Sequence, residues 1–127
     1  MRTSDLYREE IIDHAKNPRN FGKISQPDLE HKENNPLCGD EIEIQLKFDH
    51  KKCVYQVAFH GEGCSISQAA ASMLTEKIKG KSLSELEKLS SQDVLDLIGT
   101  PLTPARLKCA LLALEALKKG LKDFSKQ

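Results

Sequence analysis

Residues 41–60, EIEIQLKFDHKKCVYQVAFH, decide the fold class of this 127-residue chain. Apolar and polar residues alternate strictly over the first eight of them, which is typical of a strand with one buried face. A polar turn follows, and CVYQVAFH at residues 53–60 predicts the returning strand of an antiparallel hairpin. The inward face of that second strand is expected to carry four residues: Cys53, Tyr55, Val57 and Phe59.

Helical patterns lie on both sides of the hairpin. A helix is predicted over 4–16 and ends at Asn17-Pro18, because the residue before a proline is pushed out of the helical region. The polar segment 19–36 predicts a loop with at most a short edge strand. From residue 65 onward the pattern is helical, with starts predicted near Ser65, Ser82, Ser91 and Thr103. We therefore expect an α+β fold in one domain spanning 1–127, a small antiparallel sheet covered by helices.

The charge balance narrows the class of partner. Lys plus Arg total 19 and Asp plus Glu total 19, so the formal net charge is zero. This argues against a protein that binds nucleic acid through a strongly positive surface and against a cationic membrane-surface protein. The sequence has no apolar run near the ~20 residues that a membrane span needs. Its first twenty residues lack the apolar region of a secretory signal, so we expect a soluble, cytoplasmic protein.

Four cysteines stand at Cys38, Cys53, Cys64 and Cys109, and no two have C-x-x-C spacing. In the cytoplasm they are expected to stay reduced. Cys53 is expected in the core. The other three are predicted in a turn before a strand, at a strand-to-helix junction and in the second turn of the last helix. Gly61 and Gly63 let the backbone approach closely around Cys64.

Asp40 follows Cys38 by two residues, so its carboxylate can join the three thiols. Three thiolates and a carboxylate suit zinc or an iron–sulfur cluster. The carboxylate matches the soft thiolates poorly, which favours release of what is bound. Plainer interpretations stay open: Cys109 as a small core residue, Asp40 as an Asx-turn residue, and Arg106 and Lys108 as solvated charges. The histidines are expected at the surface, and only His60 is close enough along the chain to reach the site.

Four segments occur in an order that resembles one family: Asn17-Pro18-Arg19-Asn20, Asn35-Pro36-Leu37-Cys38-Gly39-Asp40, Gly61-Glu62-Gly63-Cys64-Ser65-Ile66-Ser67 and Pro104-Ala105-Arg106-Leu107-Lys108-Cys109. The chain resembles IscU-type scaffolds, which include the amino-terminal domain of NifU and the SufU branch, from about Leu6 to Lys122. The resemblance implies a three-stranded antiparallel sheet flanked by helices, IscU/SufE-like, with the ligands at one end.

The function that the resemblance implies is iron–sulfur cluster assembly. A cysteine desulfurase would pass persulfide sulfur to the scaffold and iron would join it. A labile [2Fe–2S] cluster would then form on Cys38, Cys64, Cys109 and a fourth ligand, and pass to cluster-acceptor proteins. Asp40 is expected to keep that cluster labile. On this interpretation the protein is a carrier rather than an enzyme.

The motifs depart from the IscU pattern beside the last cysteine. Lys108 stands where IscU-type proteins have histidine, and residues 102–106 replace their chaperone-recognition segment, so a chaperone partner stays open. The segments around Cys64 and Cys109 resemble SufU, which binds zinc through three cysteines and the aspartate and relays persulfide sulfur. SufU, however, has an inserted segment between its second and third cysteines. This chain lacks that segment and has only a short interval between Cys64 and Cys109.

Three functions therefore follow from the sequence. The first is the cluster scaffold, with Cys109 as the IscU-like persulfide acceptor. The second is a zinc-dependent sulfurtransferase, with Cys38 as the SufU-like acceptor. A purely structural zinc domain comes third, because the chain has enough leucine, isoleucine and valine to build a core without metal.

Overall fold

The computed structural model describes residues 3–36 and 39–126, and of residues 3–7 it describes the backbone only. Within these residues three strands and five helices follow one another, with the strands grouped in the first half of the chain. In chain order they are α1 (Thr3–Lys16), β1 (Leu29–Asn35), β2 (Asp40–Phe48), β3 (Val54–Glu62), α2 (Ser65–Ile78), α3 (Leu83–Glu87), α4 (Ser91–Ile98) and α5 (Pro104–Ser125).

The three strands form one antiparallel sheet in the order β1-β2-β3. The predicted hairpin is its β2-β3 pair, and the strands pair from Glu41 with Glu62 to Phe48 with Val54. The segment predicted as a loop contributes a seven-residue edge strand, β1, with Leu29 and Asn35 buried at its two ends. The α+β fold class is confirmed.

Helices α2 and α5 cover one face of this sheet. The core between them is made of fully buried side chains from each layer: Ile42, Ile44, Leu46, Phe59, Leu74, Leu112 and Leu117. Helix α1 packs on α2, and α4 packs on both α2 and α5, around a second apolar cluster that includes Ile11 and Ile98. The inward-facing apolar residues of β2 and the leucines of α5 thus pack together in one core.

The predicted inward face of β3 is wrong at Tyr55, and Cys53 is less buried than predicted. Tyr55 is 67% exposed, whereas Val54 and Val57 are buried. The register shifts beside this point, since Lys47 pairs with Gln56 and Phe48 pairs with Val54. The shift leaves Tyr55 as the extra residue of a β-bulge, which turns its side chain to the outside. Cys53, expected in the core, precedes the strand and is only half-buried.

His14 was expected at the surface but reaches into the protein. Its Nδ1 lies 2.7 Å from the Oγ of Ser72, a fully buried residue of α2. The backbone N–H of Arg19 donates to the same oxygen at 2.8 Å. The Asn20 side-chain amide donates to Thr75 Oγ1 at 3.0 Å. The Asn17–Asn20 motif is therefore held against α2 by two buried hydroxyls.

No helix in the described part of the chain combines the length and the apolar content needed to cross a bilayer.

Candidate metal centre

Three predicted ligand residues meet at one end of the sheet. Asp40, Cys64 and Cys109 come from three different elements, and each offers a ligand atom within 4.8 Å of the other two. Residues far apart in the sequence are thus brought together by the fold. Among the residues that the structure describes, these three are the ones grouped closely enough to share a metal ion.

Asp40 is placed by the alternation of β2. It is the first residue of that strand and shares the helix-covered face with Ile42 and Ile44. Its side chain is therefore directed into the protein, and the residue is only 4% exposed. A carboxylate so far from water needs polar partners, and one of them is the backbone N–H of Cys64, which donates to Asp40 Oδ1 at 3.1 Å.

Cys64 is the N-cap residue of α2, in an extended conformation with φ −71° and ψ 170°. Its thiol makes no capping hydrogen bond, which leaves the sulfur available. Two other side chains instead bond the backbone N–H and carbonyl of Cys64. Ser67, three residues on, donates its hydroxyl to the Cys64 carbonyl at 3.0 Å, and Asp40 accepts the Cys64 N–H. Asp40 thus takes the part that an acidic N3 side chain plays in a capping box.

Sequence reasoning did not single out Ser67 as part of the site. Ser67 is 1% exposed, and its hydroxyl helps to hold the backbone of Cys64 by donating to the Cys64 carbonyl. A serine three residues after a helix N-cap is a recognisable local signal for side-chain bonding to the backbone. The sequence could have suggested Ser67 on that ground, but not its proximity to Asp40.

The last part of β3, just before Cys64, needs a glycine at residue 61. Gly61 has φ +147°, and a Cβ there would lie 2.0 Å from the carbonyl oxygen of Glu41. The predicted close backbone approach is therefore present: β3 passes so near β2 at this point that no side chain fits.

Cys109 lies in the second turn of α5 and is 6% exposed. Helix α5 begins with Thr103 as N-cap and Pro104 in its first turn, as predicted, and Thr103 Oγ1 accepts the Arg106 N–H at 3.4 Å. Packing of α5 on β1 and β2 turns Cys109 inward, toward Asp40 and Cys64.

The sequence predicts three further residues near the site: Cys38, Arg106 and Lys108. Cys38 lies outside the described residues. Arg106 and Lys108 are exposed on α5. Lys108 lines a recess of about 230 Å³ beside the end of β1, together with Asn34, Asn35, Pro36, Leu112 and Glu115.

His60, the one histidine close enough along the chain to reach the group, does not belong to it. It pairs with Glu43 in the sheet, and its Nε2 lies 3.5 Å from the Glu43 carboxylate. Its Nδ1 lies 3.2 Å from the Gly22 carbonyl oxygen. Glu43 alternates with Ile42 and Ile44 along β2, so His60 is on the opposite face of the sheet from Asp40.

The donor set fits a thiophilic metal. Metal–ligand bonds of about 2.0–2.3 Å place the ligand atoms of a tetrahedral zinc ion about 3.3–3.8 Å apart. Atoms already within 4.8 Å of one another need only a small inward movement to reach those separations. Sulfur donors also suit iron–sulfur clusters. The single carboxylate is a harder donor and the weakest member of the set.

Comparison with known proteins identifies the family. The model of the NifU-like N terminal domain matches residues 6–127. The chain belongs to the NifU-like N-terminal domain family. Over 133 aligned positions this family member is 41% identical to the zinc-dependent sulfurtransferase SufU of Bacillus subtilis, covering 91% of this chain and 89% of the relative. It is 32% identical to the iron–sulfur cluster assembly scaffold protein IscU of Buchnera aphidicola, covering 95% and 96%.

A solved structure extends the likeness to three dimensions. FiSufU, the SUF-system protein of Fervidobacterium islandicum, superposes with a TM-score of 0.79 at 28% identity, covering 94% of this chain and 99% of that one. This NifU-like domain is therefore similar along almost its whole length to proteins from both branches, IscU and SufU. Membership in the family of iron–sulfur assembly scaffolds follows from these matches.

Proposed function

We propose that this protein is a scaffold on which a labile [2Fe–2S] cluster is assembled, with Cys38, Asp40, Cys64 and Cys109 as ligands. The observation that carries the proposal is the convergence of Asp40, Cys64 and Cys109 within 4.8 Å at one end of the sheet. Cys38 precedes Asp40 by two residues and is included on that connectivity. Cys64 is half-buried, so the site opens toward solvent and its cargo can enter and leave.

Sulfur would arrive as a persulfide on a cysteine desulfurase. A thiolate of the scaffold attacks the outer sulfur, a new S–S bond forms, and the desulfurase cysteine leaves as a thiolate. Cys109 and Cys38 are the two candidates for the attacking group. The transferred sulfur must then gain two electrons to become the sulfide of a cluster, and in the assay below a dithiol supplies them.

Release would depend on Asp40. A carboxylate binds iron less well than a fourth thiolate, so the cluster can pass to acceptor proteins. Ligation by several thiolates requires reduced cysteines, as the cytoplasm provides. We therefore place the scaffold in the cytoplasm, with the desulfurase and the cluster-acceptor proteins as its partners.

A zinc-dependent sulfur relay is the second candidate. Two observations favour it: the 41% identity to a zinc-dependent sulfurtransferase, and the compactness of the three ligand atoms, which suits a single tetrahedral ion. Zinc bound here would hold its cysteine ligands as thiolates. The aligned length of 133 exceeds the 127 residues of this chain, so the SufU relative contains residues with no counterpart here.

Anaerobic reconstitution distinguishes the two. The metal-free protein is incubated with ferrous iron, cysteine, a desulfurase and dithiothreitol, and the visible absorption spectrum and metal content are measured. The scaffold predicts a cluster chromophore that is lost in Cys38→Ala, Cys64→Ala and Cys109→Ala. The relay predicts tightly held zinc, no chromophore and faster desulfurase turnover.

Cys53→Ala is the matched control. Cys53 is also half-buried but precedes β3, whereas Cys64 follows that strand, eleven residues and about 36 Å away along an extended chain. The chromophore should survive this change. A chromophore that needs Cys53 as much as Cys64 would contradict the proposed ligand set.

Asp40→Ala tests release separately. Alanine leaves the fourth ligand position to a thiolate of the dithiothreitol in the assay, a softer donor for iron than the carboxylate, and we expect the reconstituted cluster to persist longer. The decay of its visible absorption after addition of a chelator measures that lifetime. Faster decay in Asp40→Ala than in the unaltered protein would refute the role of Asp40 in lability.

A further inference from the structure

We propose that Gly63 is a positioning residue that keeps the Asp40 carboxylate beside Cys64 and Cys109. The inference rests on the proposed metal site and concerns how this chain builds it. The space that a side chain on residue 63 would occupy is already filled by the Asp40 carboxyl group and the Ser67 hydroxyl.

The distances show how little room there is. A Cβ on Gly63 would lie 2.3 Å from Ser67 Oγ, 3.1 Å from Asp40 Cγ and 3.2 Å from Asp40 Oδ1. Non-bonded carbon contacts are favourable at about 3.5–4.0 Å. A methyl group at this position must therefore displace the hydroxyl and push against the carboxylate.

Neither neighbour can move without disturbing Cys64. Ser67 is 1% exposed and donates to the Cys64 carbonyl, while Asp40 is 4% exposed and accepts the Cys64 N–H. Both side chains are thus fastened to the backbone of one candidate ligand. Displacing either of them breaks a bond to Cys64 in a place where water is largely excluded.

Backbone conformation does not explain this glycine. Gly61, two residues earlier, has a positive φ, but Gly63 does not belong to the positive-φ glycines. The φ of Gly63 therefore does not by itself require glycine. Without the two contacts, replacement by alanine would stabilise the protein slightly, by restricting the unfolded chain. The close approach of Asp40 and Ser67 is therefore the reason for glycine here.

The test is Gly63→Ala with Zn²⁺ as the probe. We expect its zinc affinity, measured by competition with a chromophoric chelator, to fall by about 10- to 100-fold, the range typical when a residue supporting a metal ligand is changed. Loaded with Co²⁺, Gly63→Ala should shift the d–d absorption bands in the same direction as Asp40→Ala, because both changes alter the oxygen ligand. Unchanged affinity and an unshifted spectrum would overturn the proposal.

Gly120→Ala is the matched control. A Cβ there would lie 2.8 Å from Leu29 Cδ2, so this substitution also strains the packing. Gly120 is eleven residues beyond Cys109 on α5, about 16 Å along the helix. It should lower stability to urea without changing zinc affinity. Equal losses of affinity in both variants would show a general packing effect and overturn the proposal.

Two double variants separate the contacts. In Gly63→Ala/Ser67→Ala the 2.3 Å contact is relieved but the contact with Asp40 remains, so zinc should bind less tightly than to Ser67→Ala. In Gly63→Ala/Asp40→Ala the carboxylate is gone, and affinity should equal that of Asp40→Ala. If Gly63→Ala alone folds poorly, these comparisons still test the proposal. Zinc affinities that fail to follow this order would overturn it.

The result for Asp40→Ala distinguishes the two proposals. If the unaltered protein binds neither zinc nor iron, the proposed function and this inference both fail. If Asp40→Ala weakens zinc binding while Gly63→Ala does not, the metal site stands and only the role of Gly63 is refuted.

Discussion

At the scale of the residue, His14 couples stability to pH. Burial, and secondarily the nearby Arg19 guanidinium, lower the pKa of His14 below its ordinary 6.5, although three carboxylates partly oppose this: Asp13, Glu10 and Glu76. The folded protein then binds the proton less readily than the unfolded chain. The contribution of His14 to the free energy of unfolding is therefore fully present above pH 6.5 and is lost as the pH drops below that value. Between about pH 7.5 and about pH 5.5 the urea midpoint should fall further in the unaltered protein than in His14→Gln. Equal falls in both would contradict this role of His14.

At the scale of the element, Ser72 joins the end of α1 and the loop after it to α2. Its fully buried hydroxyl accepts the Arg19 N–H and bonds His14. Ser72→Ala removes the hydroxyl that bonds the Arg19 N–H and the His14 ring, and both of these groups are partly buried. We therefore expect a loss of about 1–3 kcal/mol in the free energy of unfolding. Ser125→Ala is the control, because Ser125 is exposed near the end of α5 and should change stability by less than about 0.5 kcal/mol. Urea titrations measure both, and similar small losses would refute the anchoring role.

At the scale of the whole molecule, the fold and the metal centre are separable. The main core lies between the sheet and the helices, and the described candidate ligands Asp40, Cys64 and Cys109 are not part of it. The protein treated with a chelator should therefore keep its far-UV circular dichroism and unfold cooperatively. Added Zn²⁺ should then stabilise it, by about 2.7 kcal/mol at a free concentration one hundred times the Kd, and Cys64→Ala should lose most of that increment. Unfolding on chelation alone would favour a structural zinc domain instead.

Local patterns were enough for the order and type of the elements other than β1, a strand in a segment predicted mainly as a loop. Strict alternation over residues 41–48 predicts β2, and the caps at Ser82, Ser90 and Thr103 precede helices in the structure. Helix α4 begins at Ser91, as predicted, and Ser90 is its N-cap. These features are readable because neighbouring residues alone determine them: side chains repeat every two residues in a strand and about every 3.6 in a helix.

The placement of single side chains depended on contacts that no local pattern contains. Tyr55 faces outward because a bulge shifts the pairing of β3 with β2, and His60 turns away from the site because it pairs with Glu43. The motifs around Cys64 and Cys109 indicated metal chemistry, and only folding joined Asp40 to the Cys64 N–H across 24 residues. Asp40 is buried, so its carboxylate cannot replace a lost hydrogen bond with one to water. The bond to the Cys64 N–H and the space left by Gly63 therefore depend on the tertiary structure.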